Sequence, residues 1–285
     1  MLSSKPARLV YKNCMSATPP NLANPQLSLN FWWLTALLMS LNIGLFLWQI
    51  STGVDASQPS SRDALAWGAD FAPLTFLAEP WRLLSSMFFH FGMIHLMLNM
   101  WALYIFGSVS EQLMGRYYFI GLYFLAGLSG SLLSAYLDLR HTILLLNGSM
   151  LDPNLLPRVS AGASGAVMGL GAALTVIALF PRLPQQRFIL AKKSLVLIML
   201  LNLFIGFMTS GINNAAHIGG MIMGGMLALL WYMAQRFHAP WLKLLSLVFA
   251  AALCYLIYQA LNQWVMQIQP FWQELLDSML QQLKL

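Results

Sequence analysis

Long apolar runs, nearly free of charge, alternate along this chain with short polar connections. They fall at 29–50, 83–107, 117–137, 161–180, 194–210, 215–234 and 244–265. Most reach the ~20 residues that carry a helix across ~30 Å of hydrocarbon. A segment in lipid must satisfy its own backbone hydrogen bonds, and a helix does so internally. The pattern therefore predicts an all-α, polytopic transmembrane helix bundle of seven spans, of which 194–210 is the shortest. The first run follows a polar, Pro-containing tail with no clear small-residue cleavage site, so it reads as a retained span and not a signal peptide.

Two stretches stand apart from this bundle. The 51–82 connection carries "GADFAPLTFLAEPWRL", apolar but interrupted by Pro73, Pro80 and charges. It cannot span, and its place is the outer interface. The last stretch, "PFWQELLDSMLQQLKL", puts Phe271, Leu275, Leu276, Met279 and Leu283 on one helical stripe. That predicts an amphipathic helix lying on the surface, with a partner-binding helix as the rival. The chain divides into an N-terminal tail (1–28), a core of six spans (29–235), an additional span (236–265) and an amphipathic tail (266–285).

Composition agrees with the pattern. Of 285 residues, 59% are hydrophobic and 8% charged, where a soluble domain is about a quarter charged. With the N-terminus taken as cytoplasmic, the inner segments hold ten cations: Lys5, Arg8, Lys12, Arg116, Arg182, Arg187, Lys192, Lys193, Arg236 and Lys243. The outer segments hold five: Arg62, Arg82, Arg140, Arg158 and Lys284. This inside-positive bias sets the N-terminus inside and the C-terminus outside, and it fits a bacterial inner membrane. The net charge of +6 thus reflects loop topology, with no nucleic-acid partner implied. Cys14 and Cys254 offer neither a disulfide framework nor a metal site.

Within these apolar runs the ionisable side chains are His90, His95 and His217. In "FFHFGMIHLMLNM", His95 and Asn99 are four apart and share one helix face. "NNAAHIGGMIMGG" places His217 at the start of the sixth span, and "VSAGASGAVMG" places Ser164 among residues too small to fill space around it. Singly, each has a bland reading: intramembrane histidines are often interhelical glue, and GxxxG pairs such as Gly165/Gly169 and Gly220/Gly224 are often packing faces. Topology brings them together. Spans two, four and six all run from outside to inside, so His95, Asn99, Ser164 and His217 fall in the outer half of the membrane. Counted by depth, His95 lies more than ~5 Å below the other two. A fourth helix that begins below the surface, covered by part of 141–160, would reconcile them; such irregular backbone at depth needs protein or water around it.

These groups are the parts for acyl transfer. Neutral His217 can take the proton from Ser164 Oγ as it attacks a peptide carbonyl, then give it to the leaving amine. Backbone N–H groups at the helix start, with His95 and Asn99, can hold the oxyanion. No intramembrane Asp or Glu is available to orient His217, so a dyad is expected and not a triad. H-E-x-x-H is absent, and so is a pair of intramembrane aspartates.

At these residues the chain resembles the rhomboid intramembrane serine proteases. "GASG" at 162–165 is similar to their GxSG, "AHIGG" at 216–220 to their AHxGG, and "HFGMIHLMLN" at 90–99 to their HxxxxHxxxN. "WR" at 81–82 and "GSVSE" at 107–111 match the outer-loop and GxxxE signatures. The resemblance runs from about residue 30 to 235. It implies a rhomboid-like six-helix core followed by a seventh helix, with Ser164 as nucleophile, His217 as general base, and His95 and Asn99 at the oxyanion. Trp81, Arg82 and Glu111 would be structural, and no cofactor or metal is implied. Substrates would be single-span transmembrane proteins in the lipid bilayer, cut near the outer face. One departure is Met168, where many members carry an aromatic that packs on the catalytic ring; a thioether can make that contact. A catalytically dead relative would be expected to lack the serine or histidine. A transporter would show repeated halves and broken helices, and a packing scaffold leaves the grouping of polar residues unexplained.

Overall fold

The computed structural model describes residues 32–148, 152, 155–183, 186, 190–208 and 213–283. The expected cytoplasmic tail, with Lys5, Arg8, Lys12 and Cys14, lies outside the described residues, as do Arg187 and Lys284. The described chain is helical, in the order α1 (Trp33–Ser51), α2 (Ser61–Ala66), α3 (Ala72–Leu77), α4 (Arg82–Ser85), α5 (Met93–Met114), α6 (Arg116–Asn147), α7 (Ser164–Leu179), α8 (Lys192–Met208), α9 (Asn214–Arg236) and α10 (Trp241–Leu283). Five of these, α1, α5, α6, α9 and α10, are long and apolar enough to cross a membrane. The apolar helix α7, with 16 residues, is shorter. The chain is thus a multi-pass helical membrane protein.

Its exposed side chains fit a lipid solvent. Leu37, Leu47 and Trp48 on α1, Leu200 and Phe204 on α8, and Leu244 and Leu256 on α10 all stand open. In water such a surface would be a liability; in hydrocarbon it is the favoured exterior.

The interior is held by close helix approach. Helices α7 and α9 meet through small residues: a Cβ on Gly220 would fall on the Gly165 carbonyl, and one on Gly224 on the Gly169 carbonyl. Helix α6 joins them where Gly130 faces the Ala216 carbonyl and Ser129 Oγ donates to Gly219 O at 3.0 Å. Lower in the bundle the Tyr118 hydroxyl donates to Leu227 O at 2.7 Å and lies 3.0 Å from Ser246 Oγ, tying α6, α9 and α10. Lipid offers no hydrophobic drive between helices, so contacts and polar links of this kind carry the packing.

Glu111 is buried near the end of α5 and takes up the free N–H groups of α1. Its carboxylate accepts from Leu34 N at 3.1 Å, Thr35 N at 2.8 Å and Thr35 Oγ1 at 2.8 Å. A negative charge on orphan donors at a helix start is favourable on both hydrogen-bond and dipole grounds. Gly115, at φ +85°, then turns the chain between α5 and α6 in a single residue.

The 51–82 connection folds into α2, α3 and the approach to α4. Ser60 and Asp63 form a capping box on α2. Arg82 knits the whole: it pairs with Glu79 at 2.7 Å, and its Nη1 donates to Leu65 O at 2.8 Å and Ala69 O at 2.9 Å. Its guanidinium also stacks 4.8 Å from the Trp81 ring.

Three boundaries differ from the sequence expectation. The second span begins at Met93, not near 83, because 82–88 forms a separate short helical turn. Helix α6 runs on to Asn147, so the loop before Ser164 starts after it. Where sequence suggests a span at 244–265 and a separate surface helix, α10 continues unbroken through Pro270 to Leu283. Pro270 removes one backbone N–H, but its place in an overhang leaves the freed carbonyl reachable by water.

Candidate active site

Three helix starts converge at one face of the bundle. Ser164 is the first residue of α7, His95 the third of α5 and His217 the fourth of α9. With α5 beginning at Met93, the depth mismatch expected from sequence disappears. At ~1.5 Å per residue the 16 residues of α7 cover ~24 Å, less than the hydrocarbon thickness. The segment 159–163 leads into it, and its residues 159–162 line a cavity.

That cavity, of about 910 Å³, is lined by Ser164, His95, Gly162, Gly165, Asn213 and Ala216 among others. The Ser164 hydroxyl makes no hydrogen bond among the described residues, and it is part of the wall. Gly162, at φ +128°, brings the chain so close that a Cβ there would sit 3.1 Å from His95 Nε2 and 3.8 Å from Ser164 Oγ. A side chain at 162 would occupy the space between the imidazole and the hydroxyl.

The hydrogen bonds assign a tautomer to His95. Phe91 N donates to its Nδ1 at 3.2 Å, so the neutral ring carries its proton on Nε2, the atom near Gly162 and Ser164. His95 is thereby a donor toward the cavity. Asn99 lies one turn deeper and donates from Nδ2 to His95 O at 2.9 Å. It is buried and does not line the cavity.

His90, whose role the sequence leaves open, packs its ring 5.2 Å from that of His95. Its Nε2 accepts from Ala163 N at 3.4 Å, so it holds the residue immediately before the serine.

His217 is buried on α9, beside the point where Gly165 meets the Ala216 carbonyl. Its Nδ1 is buried with no hydrogen-bond partner, and no carboxylate holds it among the described residues. Met168, one turn along α7 from Ser164, is buried in the core.

Residues that sequence reasoning missed do much of the positioning. Asn213 Nδ2 donates to Ser160 Oγ at 2.9 Å and to Ser134 Oγ at 2.6 Å, while its Oδ1 accepts from Ala216 N at 3.0 Å. One side chain thus caps the helix of His217 and grips the loop that leads to Ser164. An Asn directly before "NAAHIGG" is a helix-start signal that could have found it; nothing in the sequence marks Ser160 as its partner. Gly162 N donates to Ser86 O at 2.8 Å, fixing the loop from the opposite side.

The outer connection is stitched to the same loop. Asp70 and Ser160 exchange both backbone hydrogen bonds at 2.8 Å, an isolated antiparallel bridge. The Asp70 carboxylate accepts from Thr75 Oγ1 at 2.6 Å. Burial pushes the Asp70 carboxyl from 3.8 up to about 6, against the pull of Thr75 and Arg82. Folding therefore favours its protonated form. That contribution is complete below pH 3.8 and is lost as pH rises through about 6. It amounts to roughly 3 kcal/mol at most. Asp70→Asn keeps an acceptor for Thr75 but cannot ionise. The variant's melting temperature in detergent, less that of wild type, should rise between pH ~4 and ~6 and level off above; a constant difference would refute this.

A helical membrane bundle with the Ser164 hydroxyl and the His95 imidazole in the wall of one cavity, and His217 buried on the adjoining helix, fits the intramembrane serine hydrolase class. Comparison with known proteins is more specific. A family profile described as the Rhomboid domain matches residues 77–236. Rhomboid protease AarA of Providencia stuartii is 30% identical over 215 residues, covering 71% of this chain and 74% of that protein. Rhomboid protease GluP of Bacillus subtilis (strain 168) is 33% identical over 219 residues, 77% of this chain but 38% of that protein. RHOMBOID-like protein 5 of Arabidopsis thaliana is 37% identical over 147 residues, 51% of this chain and 42% of that protein. The chain belongs to the rhomboid family of intramembrane serine proteases. The matched domain ends at Arg236, so α10 lies wholly beyond it.

Proposed function

We propose that this chain cleaves single-span membrane proteins near the outer membrane face, using Ser164 and His217 as a catalytic dyad. The observation that carries the reading is the meeting of three helix starts around one cavity, with the Ser164 hydroxyl in its wall and the helix of His217 in backbone contact beside it. Ser164 Oγ attacks the scissile carbonyl while His217 accepts the hydroxyl proton. The tetrahedral intermediate then collapses, the C–N bond breaks and His217 protonates the departing amine. Water enters, gives a proton to His217 and hydrolyses the acyl-enzyme, restoring Ser164. Serine–imidazole hydrogen bonds are often long without substrate and tighten during reaction.

The developing oxyanion is met by the unpaired N–H groups of the first turn of α7, at its positive dipole end, and by His95 Nε2–H. Asn99 serves the same charge through His95, whose turn it fixes by donating to His95 O. Substituting His95 by alanine should reduce kcat about 10²–10³-fold with a smaller change in KM. Steady-state cleavage of a reporter helix measures this; an unchanged kcat would remove His95 from the oxyanion site.

The reading places the N-terminus in the cytoplasm and the cavity at the opposite face, as the distribution of Lys and Arg favours. A bacterial inner membrane is the matching setting. The decisive experiment is reconstitution in liposomes with a single-span reporter, the product mapped by mass spectrometry, alongside labelling by a fluorophosphonate. Cleavage near the outer end of the reporter span, with the label on Ser164, is expected. Failure of the label to attach at Ser164 in cleaving protein would overturn the dyad.

A further inference from the structure

We infer that the overhang of the seventh helix is part of the substrate-binding surface, and that Leu275, Ser278 and Met279 shape a subsite for a bulky apolar side chain of the polypeptide being cut. The inference rests on the protease reading above.

Helix α10 has 43 residues, ~64 Å at ~1.5 Å per residue, against ~30 Å of hydrocarbon. Starting from the inner side, its last turns stand clear of the membrane core. Helix α6, of 32 residues, overhangs alongside and anchors it: Trp272 is fully buried, and its Nε1 donates to Thr142 Oγ1 at 3.0 Å. Above that anchor, Leu276 is buried in a cluster with Leu65, Phe71 and Leu74 of the outer connection. The overhang is therefore fixed in place and not a trailing end.

Leu275 and Met279 pack against this cluster only in part, and Ser278 is exposed. All three line the cavity that holds Ser164 and His95, as do Leu156 and Val159. Leu275, Ser278 and Leu156 also border a second hollow of about 370 Å³, to which Phe271 and Glu274 of the preceding turn of α10 contribute. The wall formed by Leu156, Leu275 and Ser278 is thus shared by two adjoining hollows. Its open apolar surface differs in kind from that lower on α10. There, residues such as Leu256 face lipid. Beyond the hydrocarbon, uncovered leucine and methionine meet water, and an apolar patch next to a reactive group marks a binding site. The main cavity, at about 910 Å³, is at the upper end of the usual ~300–1,000 Å³ and has room for more than the scissile bond. A polypeptide segment extending from Ser164 would lay one side chain against the open apolar surface of Leu275 and Met279.

The test compares Ser278→Trp, which fills the subsite from an exposed position, with wild type and with the double variant Leu275→Ala, Met279→Ala. Full-length enzyme in liposomes is assayed on reporters carrying Gly, Asp, Leu, Phe or Trp in turn at each of five positions on both sides of the cut. Wild type should favour a bulky apolar residue at one position by ~10-fold or more in kcat/KM. Ser278→Trp should erase that preference, bringing kcat/KM for the bulky apolar reporter down to that of the Gly reporter in the same protein. The alanine pair should shift it toward Trp. An identical preference profile in all three proteins would overturn the inference. So would a parallel loss of labelling in Ser278→Trp, which would mean the overhang acts on the fold. Wild type that neither cleaves nor labels would instead refute the protease reading.

Discussion

Replacing Ser164 by alanine is expected to reduce reporter cleavage by ~10³–10⁶-fold, and replacing His217 by alanine to do about the same. The double variant should be no worse than either single one. A nucleophile and the base that activates it act as a unit, so losing one leaves the other with nothing to do. The two substitutions should differ in their effect on the fold. Ser164 Oγ makes no hydrogen bond among the described residues, so its removal should leave the melting temperature unaltered. His217 is buried against α7, and its truncation opens a void that should lower that temperature. The measurements are kcat/KM on a reporter helix, fluorophosphonate labelling and thermal unfolding in detergent. Additive losses in the double variant would show that the two groups act in separate steps.

The second large effect is expected at Gly220. A Cβ there falls on the Gly165 carbonyl, which is backbone and cannot swing aside. Gly220→Ala should push α9 away from α7 next to Ser164 and His217. A misplacement near 1 Å at a reacting centre lowers rates by ~10², so cleavage should fall at least that far, with a clear drop in melting temperature. Gly44, on lipid-facing α1, is the control: nothing lies within 4 Å of its Cβ position. Gly44→Ala should leave cleavage intact and add up to ~1 kcal/mol of helix stability. Wild-type activity in Gly220→Ala would refute the close-approach account of the α7–α9 contact.

Much of this arrangement is legible in the sequence because lipid simplifies the code. Among the described residues five of the seven apolar runs lie in helices long and apolar enough to span, and 161–180 in a shorter apolar helix, since a spanning segment has few alternatives. The glycine pairs at 165/169 and 220/224 point to the α7–α9 contact, and the positions of Ser164, His95 and His217 point to one face. Other features rest on pairings with no local trace. The bridge between Asp70 and Ser160 joins residues far apart in sequence, and the Asn213 side chain reaches Ser134 and Ser160 across three elements. The role of His90 is of this kind too, because its partner is a backbone N–H beside the serine. Apolar residues that continue beyond a turn, as at 83–92, hide the helix boundary from the pattern. At Pro270 the opposite happened: a residue that usually ends a helix sits inside one.

The brevity of α7 has a consequence for how the protein responds to the bilayer around it. Most of that helix is buried, whereas only 28% of the apolar window of α1 and 22% of that of α10 are shielded by protein. A thicker or thinner membrane therefore strains the peripheral helices, which can tilt to relieve hydrophobic mismatch. The serine's helix meets other helices instead of acyl chains, and its depth is insulated from the lipid composition in which the chain resides.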